Sequence, residues 1–297
     1  MKKLAELAVR VFLFIFLFSL PAHSAEDLSD YQYKTTKDLV SLVRNAAGLV
    51  TSKGEAAFTE FKKEGSAWRH GNLYIFVLDT DGNMLVHPDP ALSGKNEIDL
   101  KDINNKPIIK NILEVATGYD NKGEGWFHYQ WPEPGSIFPM WKTTFAKRCV
   151  APSGKTYVIG SGLYNMKIEK CFIISAVDDA VALIEKEGKN AFPVLRDKSG
   201  PFLFMNIYIF VDDPKGVELV NPAFPNVEGK NLMDYQDSTG KLLVQEYIAL
   251  ALNKGLGWID YMWPKPGEST LSRKHAYVRK AVYNNETFIV GSGAYLE

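Results

Sequence analysis

Excess charge of either sign, cysteine, histidine and long apolar runs are all scarce in this 297-residue sequence, and each scarcity removes a class of function. Lys and Arg number 34 against 35 Asp and Glu, a formal net charge of -1, and no run of one sign occurs. No basic field is there to hold nucleic acid or an anionic membrane surface, so no nucleic-acid partner is expected. His70, His87, His128 and His275 have no ligand spacing, which argues against a metal site. After residue 24 no stretch approaches the ~20 apolar residues that a membrane-spanning helix needs. Cys149 and Cys171 are the only cysteines. They either form a disulfide or remain as two buried thiols, and the sequence leaves both open.

What is present begins with a short targeting pattern. Lys2, Lys3 and Arg10 precede the apolar run Val11 to Leu20, then Pro21, then Ala22-His23-Ser24 before Ala25. About ten apolar residues are too few to span a bilayer as a helix but suit the h-region of a secretory signal peptide. Residues 1–24 are therefore expected to be a signal peptide and the mature protein to be periplasmic or secreted; the alternative is an uncleaved anchor. The remaining length suffices for two ordinary domains.

Shifted by about 134 residues, the chain matches itself. Gly54 to Phe58 recurs as Gly188 to Phe192, Tyr74-Ile75-Phe76-Val77 as Tyr208-Ile209-Phe210-Val211, and Gly94-Lys95-Asn96 as Gly229-Lys230-Asn231. Gly125-Trp126, Tyr129, Trp131-Pro132 and Pro134-Gly135 recur as Gly257-Trp258, Tyr261, Trp263-Pro264 and Pro266-Gly267. Each copy closes on Gly-Ser-Gly-x-Tyr, at Gly160 to Tyr164 and Gly291 to Tyr295. So many matches in one order mean a duplicated domain, far longer than a solenoid repeat. The expected division is 25–166 and 167–297.

Each copy opens on an amphipathic helix. Leu39, Leu42, Val43, Ala46, Leu49 and Val50 form one face, and Ile173, Ala176, Val177, Ala180, Leu183 and Ile184 repeat it. Apolar runs on either side of Asp79-Thr80-Asp81-Gly82 predict a hairpin, and a short helix is expected around Pro107 to Ala116. Trp126 to Trp131, Lys142 to Val150 and Tyr157 to Tyr164 read as three strands. The expected class is α+β: two tandem units, each a long N-terminal helix packed on an antiparallel sheet.

The same hairpin imitates two functional motifs. An apolar strand ending in Asp79-x-Asp81 looks like a phosphatase nucleophile, but a short apolar run follows it and the second copy reads Asp212-Asp213-Pro214, losing the spacing. A calcium loop fails because Pro90 stands where a bidentate glutamate is required. Gly160-Ser161-Gly162 lacks the third glycine and helix of a dinucleotide fingerprint. No nucleophile and base recur together, so no enzyme activity and no cofactor are expected.

The repeated aromatics are the better candidates for function. On an alternating strand Tyr129 and Trp131 share one face and Trp126 takes the other. Lys142 on the next strand, and Lys274 in the second copy, either snorkel at the surface or point a cation into an aromatic pocket. Taken in order, Tyr74 to Val77, Asp79-x-Asp-Gly, His87-Pro88, Gly94-Lys95-Asn96, Gly125-Trp126, Tyr129, Trp131-Pro132, Lys142 and Gly160 to Tyr164 resemble the Cache domain. The likeness is greatest to the single-Cache type found outside the membrane in bacterial chemoreceptors and sensor kinases. That resemblance implies a PAS-like sheet and a pocket for a small metabolite, often a short organic acid. It implies that His87, Tyr129, Trp131 and Lys142 line the first pocket, and Tyr261, Trp263 and Lys274 the second. Asn221 replaces His87 and Asp260 replaces His128, so the two pockets are expected to differ. Since the sequence stops at Glu297 without a following signalling module, output is expected through a membrane sensor kinase or chemoreceptor partner. The alternative is a scaffold that holds such a partner without binding a ligand.

Overall fold

A computed structural model describes residues 27–118 and 123–296; the expected signal peptide lies outside the described residues. The first unit opens on α1 (Lys34–Lys53), whose buried side chains Leu39, Val40, Val43, Ala46, Ala47 and Val50 follow the helical period. Leu42 and Leu49, expected on that face, are only partly covered, and Val40 and Ala47 take the central places. Gly54 stops the helix: its φ of 62° suits a residue without Cβ, and its N–H reaches back to the Val50 carbonyl. A short α2 (Ala57–Lys62) follows.

Next come β1 (Arg69–His70), β2 (Leu73–Tyr74), β3 (Phe76–Asp79) and β4 (Met84–Val86). The Asp79-to-Gly82 segment is a turn. Asp79 Oδ1 accepts the Asp81 and Asn83 N–H groups at 3.0 and 2.8 Å, so this carboxylate is engaged in holding the hairpin. Asp213 does the same for Lys215 and Val217 at 2.8 and 2.9 Å in the second unit. Asn96 of the repeated Gly-Lys-Asn ties the returning loop to the turn through the Asp81 carbonyl.

After α3 (Ile108–Thr117) the chain forms β5 (Glu124–Pro132), β6 (Pro139–Val150) and β7 (Thr156–Tyr164). The antiparallel sheet has the order β4-β3-β7-β6-β5. The second unit repeats it with α4 (Lys170–Glu187), α5 (Phe192–Arg196), β8 (Leu203–Phe204), β9 (Ile207–Tyr208), β10 (Phe210–Asp212), β11 (Glu218–Val220), α6 (Leu243–Lys254), β12 (Leu256–Pro264), β13 (Leu271–Tyr283) and β14 (Glu286–Tyr295). Its sheet order is β11-β10-β14-β13-β12. The α+β class is as expected, with one addition: each sheet is covered on both faces. Val77, Phe145, Tyr157 and Ile159 pack under α1, whereas Phe76, Leu78, Met84, Phe127, Ala146 and Val158 pack with Ile108, Ile109 and Ile112 of α3. Strand alternation sends consecutive side chains to these two separate cores.

Cys149 and Cys171 stand as separate free thiols in this structure, the first buried and the second half-buried. Cys149 lies opposite Tyr157 near the far end of β6, while Cys171 opens α4 beside Tyr31, Trp126 and Phe172. Burial pushes their thiols up to about 11 and about 12, the unreactive direction.

Candidate functional site

The pocket face of the first sheet is built by a stack of close approaches along β7. A Cβ on Gly160 would lie 2.2 Å from the Phe76 ring, and one on Gly162 would lie 2.9 Å from Lys142 Cε. Between them Ser161 donates to the Tyr74 carbonyl at 2.7 Å, and Tyr164 closes the motif by donating to the Pro132 carbonyl at 2.8 Å. Gly-Ser-Gly-x-Tyr is thus a packing device: it lets Phe76 and the stem of Lys142 lie flat across the strand. The second unit repeats three of these contacts. Gly291 accommodates Phe210, Ser292 donates to the Tyr208 carbonyl at 2.8 Å, and Tyr295 donates to the Pro264 carbonyl at 2.6 Å.

Lys142 is not a snorkelling surface residue; it is 1% exposed. Its Nζ donates to the Tyr74 hydroxyl at 2.5 Å and lies 4.4 and 5.0 Å from the Tyr74 and Tyr164 ring centres. Among the described residues it has no carboxylate in ion-pair range. Desolvation alone lowers its pKa to about 7. His87 meets Tyr74 edge-on at 5.0 Å, and burial, then the Lys142 charge, lowers it to about 4, so the imidazole is neutral. Tyr129 stacks on Phe127 and shares a hydrogen bond of 3.1 Å with Thr144.

All four residues expected in the first pocket, His87, Tyr129, Trp131 and Lys142, line one small inner cavity of about 20 Å³. It lies behind an outer vestibule of about 540 Å³, and Tyr74, His87 and Trp131 are common to the walls of both. Charges of both signs rim the vestibule: Arg69 with Glu64, Asp89 and Glu133. Tyr261, Trp263 and Lys274 likewise line a single inner cavity of about 20 Å³ in the second unit. There Lys274 donates to the Tyr208 hydroxyl at 2.9 Å.

One sequence expectation needs correction. His128 does not bear on the pocket, because it lies on the α1 face of β5, stacked at 4.1 Å on Phe204 and 3.0 Å from Thr143 Oγ1. Its replacement by Asp260 therefore changes the opposite face, where Asp260 pairs with His275 and Arg273. Two residues at the cation were missed. Tyr74 and Tyr164 carry the lysine's hydrogen bond and ring contacts, and both recur, as Tyr208 and Tyr295. Recurrence of a polar aromatic beside a recurring lysine was the available signal.

The family model described as Cache domain, dCache_2, matches residues 55–169 and 182–297, one stretch in each unit. This chain belongs to the Cache domain family. A methyl-accepting chemotaxis protein of Pseudomonas putida, McpP, is 30% identical over 90 residues, 30% of this chain and 16% of its own. A sensor histidine kinase of Rhizobium johnstonii, MctS, is 32% identical over 108 residues, 36% of this chain and 21% of its own. The similarity thus spans about a fifth of each curated relative. A solved Cache chemosensory domain, described in connection with carboxylic acid recognition, is 27% identical. It covers 42% of this chain and 91% of its own at a TM-score of 0.37. A periplasmic sensor domain of a chemotaxis protein is 28% identical, with 42% and 88% covered and a TM-score of 0.34. The Cache units are sensory, ligand-binding domains in tandem. Among the described residues, no helix is long and apolar enough to cross a membrane.

Proposed function

We propose that this tandem Cache protein is an extracytoplasmic sensor or capture module for a short organic acid, which it takes up in the first unit. Lys142 carries the reading: a buried ammonium without an acid partner, at the base of a cavity walled by aromatic rings and a neutral imidazole. Burying a lone charge is costly unless it is paired. A ligand carboxylate supplies the missing partner. The inner cavity admits only a head group, and the vestibule of about 540 Å³ has room for the rest of a small molecule. His87, Tyr129 and Trp131 shape the apolar wall, and the Tyr74 hydroxyl steadies the ammonium. Signalling to a membrane sensor kinase or chemoreceptor then requires a partner that reads the occupied state.

A thermal-shift screen of the chain against short organic acids, amino acids and amines tests this. Ligand at a hundredfold excess over its Kd adds about 2.7 kcal/mol to the folded state. In domains of this size that raises Tm by several degrees. Short acids should give the shift and K142M should abolish it. Stable co-purification with a membrane receptor, with no shift from any acid, would instead favour a scaffold.

A further inference from the structure

The two pockets match at most lining positions but differ in polarity at a few. In the first unit Leu78 on β3 faces Met84 on β4, and Ile112 of α3 is buried in the same core. The corresponding cross-strand pair in the second unit is Asp212 and Glu218, at the same ladder irregularity, and the helix position is Tyr247. Three packed apolar residues have thus become two acids and a phenol. Both acids are buried, Asp212 completely, and Tyr247 donates to Asp212 Oδ2 at 2.8 Å. Glu218 accepts from Asn221 Nδ2 at 2.8 Å, while Asp212 Oδ1 has no donor of its own. Burial raises the affinity of both carboxyls for a proton, and the Glu218 charge raises Asp212 further, whereas the hydrogen bonds of Asn221 and Asp212 and the Lys274 charge partly offset the rise at Glu218. The charged groups around it are Lys274 in the pocket and Asp213 and Glu228 beyond it. Glu218 and Lys274 line the same inner cavity, too far apart for a direct ion pair but close enough to attract, whereas among the described residues the Lys142 cavity is lined by no carboxylate.

We propose that Asp212, Glu218 and Tyr247 close the second pocket to carboxylates, so that the protein holds one organic acid per chain, in the first unit. Glu218 is the internal counter-charge of Lys274 and stands in for the anion that Lys142 lacks. An incoming carboxylate would meet a cation that already faces Glu218, with a second buried acid, Asp212, paired across the strands behind it. This inference rests on the carboxylate reading of the first pocket and assigns the specificity that separates the copies.

Calorimetric titration with acetate, read as stoichiometry, tests it in four proteins. The native chain should bind one acetate, K142M none, and K274M one. The graft D212L/E218M/Y247I, which installs residues that pack at these places in the first unit, should bind two. If the graft does not fold, D212N/E218Q takes its place and should acquire the second acetate more weakly. Two acetates on the native chain, or one that survives K142M and disappears in K274M, would overturn the inference while leaving a carboxylate protein. A second acetate absent from both the graft and D212N/E218Q would also overturn it. No acetate bound by the native chain would instead remove the carboxylate reading itself, and this inference with it.

Discussion

Lys142 is the residue whose chemistry organises the first pocket, and its unusual state makes it testable. A structural lysine would stabilise the fold; one kept for a ligand is carried at a cost. K142M should raise stability by about 1–4 kcal/mol, as replacing buried ionic groups by apolar ones often does. The same variant should lose acid binding, and denaturant unfolding beside the titration reads both. The pH dependence follows from the lowered pKa. In the folded state Lys142 titrates near 7, against 10.5 when exposed. A depressed folded pKa contributes stability above the unfolded value that is lost as pH falls to the folded one. The advantage of K142M over the native chain should therefore be largest at neutral pH and shrink steadily toward pH 10.5. An advantage that does not change with pH would mean that Lys142 is not desolvated as described.

At the scale of elements, β7 matters as much as the lysine it supports. G162A would place a methyl group 2.6 Å from Thr144 Oγ1 and 2.9 Å from both Lys142 Cε and the Thr143 carbonyl. Overpacking of this kind costs about 1–3 kcal/mol. Since the displaced atom belongs to the pocket lysine, acid affinity should fall together with Tm. A loss of Tm with full affinity would show that the stem of Lys142 can move aside freely. The elements themselves were readable because duplication printed each signal twice: the α1 face recurs in α4, and the Asp79 turn recurs at Asp213. Alternation put Tyr129 and Trp131 on one face, but it left Lys142 open between surface and pocket, and a common pocket for the three came only from the Cache resemblance. His128 was misplaced because the second-copy difference was read before the face was assigned. The Asp212–Glu218 pair escaped notice because the change at Asp212 was read for its turn chemistry, whereas its meaning lies in the facing strand and in Tyr247, 35 residues away.

Across the whole molecule, a single buried carboxylate links the starts of the two long helices. Glu169, immediately before α4, accepts the backbone N–H groups of Gln32 and Tyr33 at 2.7 and 3.1 Å, just ahead of α1. Removing it loses two hydrogen bonds to a charged group; because Gln32 is exposed and Tyr33 half-buried, water can reach the freed N–H groups and the loss is about 1–3 kcal/mol in all. E169A should thus lower Tm while leaving the acid stoichiometry unchanged; an unchanged Tm would mean that the link is not needed. Around this frame, among the described residues, the first pocket holds a cation with no carboxylate in its lining and the second a cation that shares its cavity with Glu218. The first of these is the proposed seat of the ligand. The most direct measurement is the proton balance of acid binding, from acetate calorimetry in buffers of different ionisation enthalpy. With Lys142 titrating near 7, the bound carboxylate should draw nearly one proton from solution at about pH 8 and almost none at about pH 6. Binding with no proton uptake at either pH would place the acid somewhere other than Lys142.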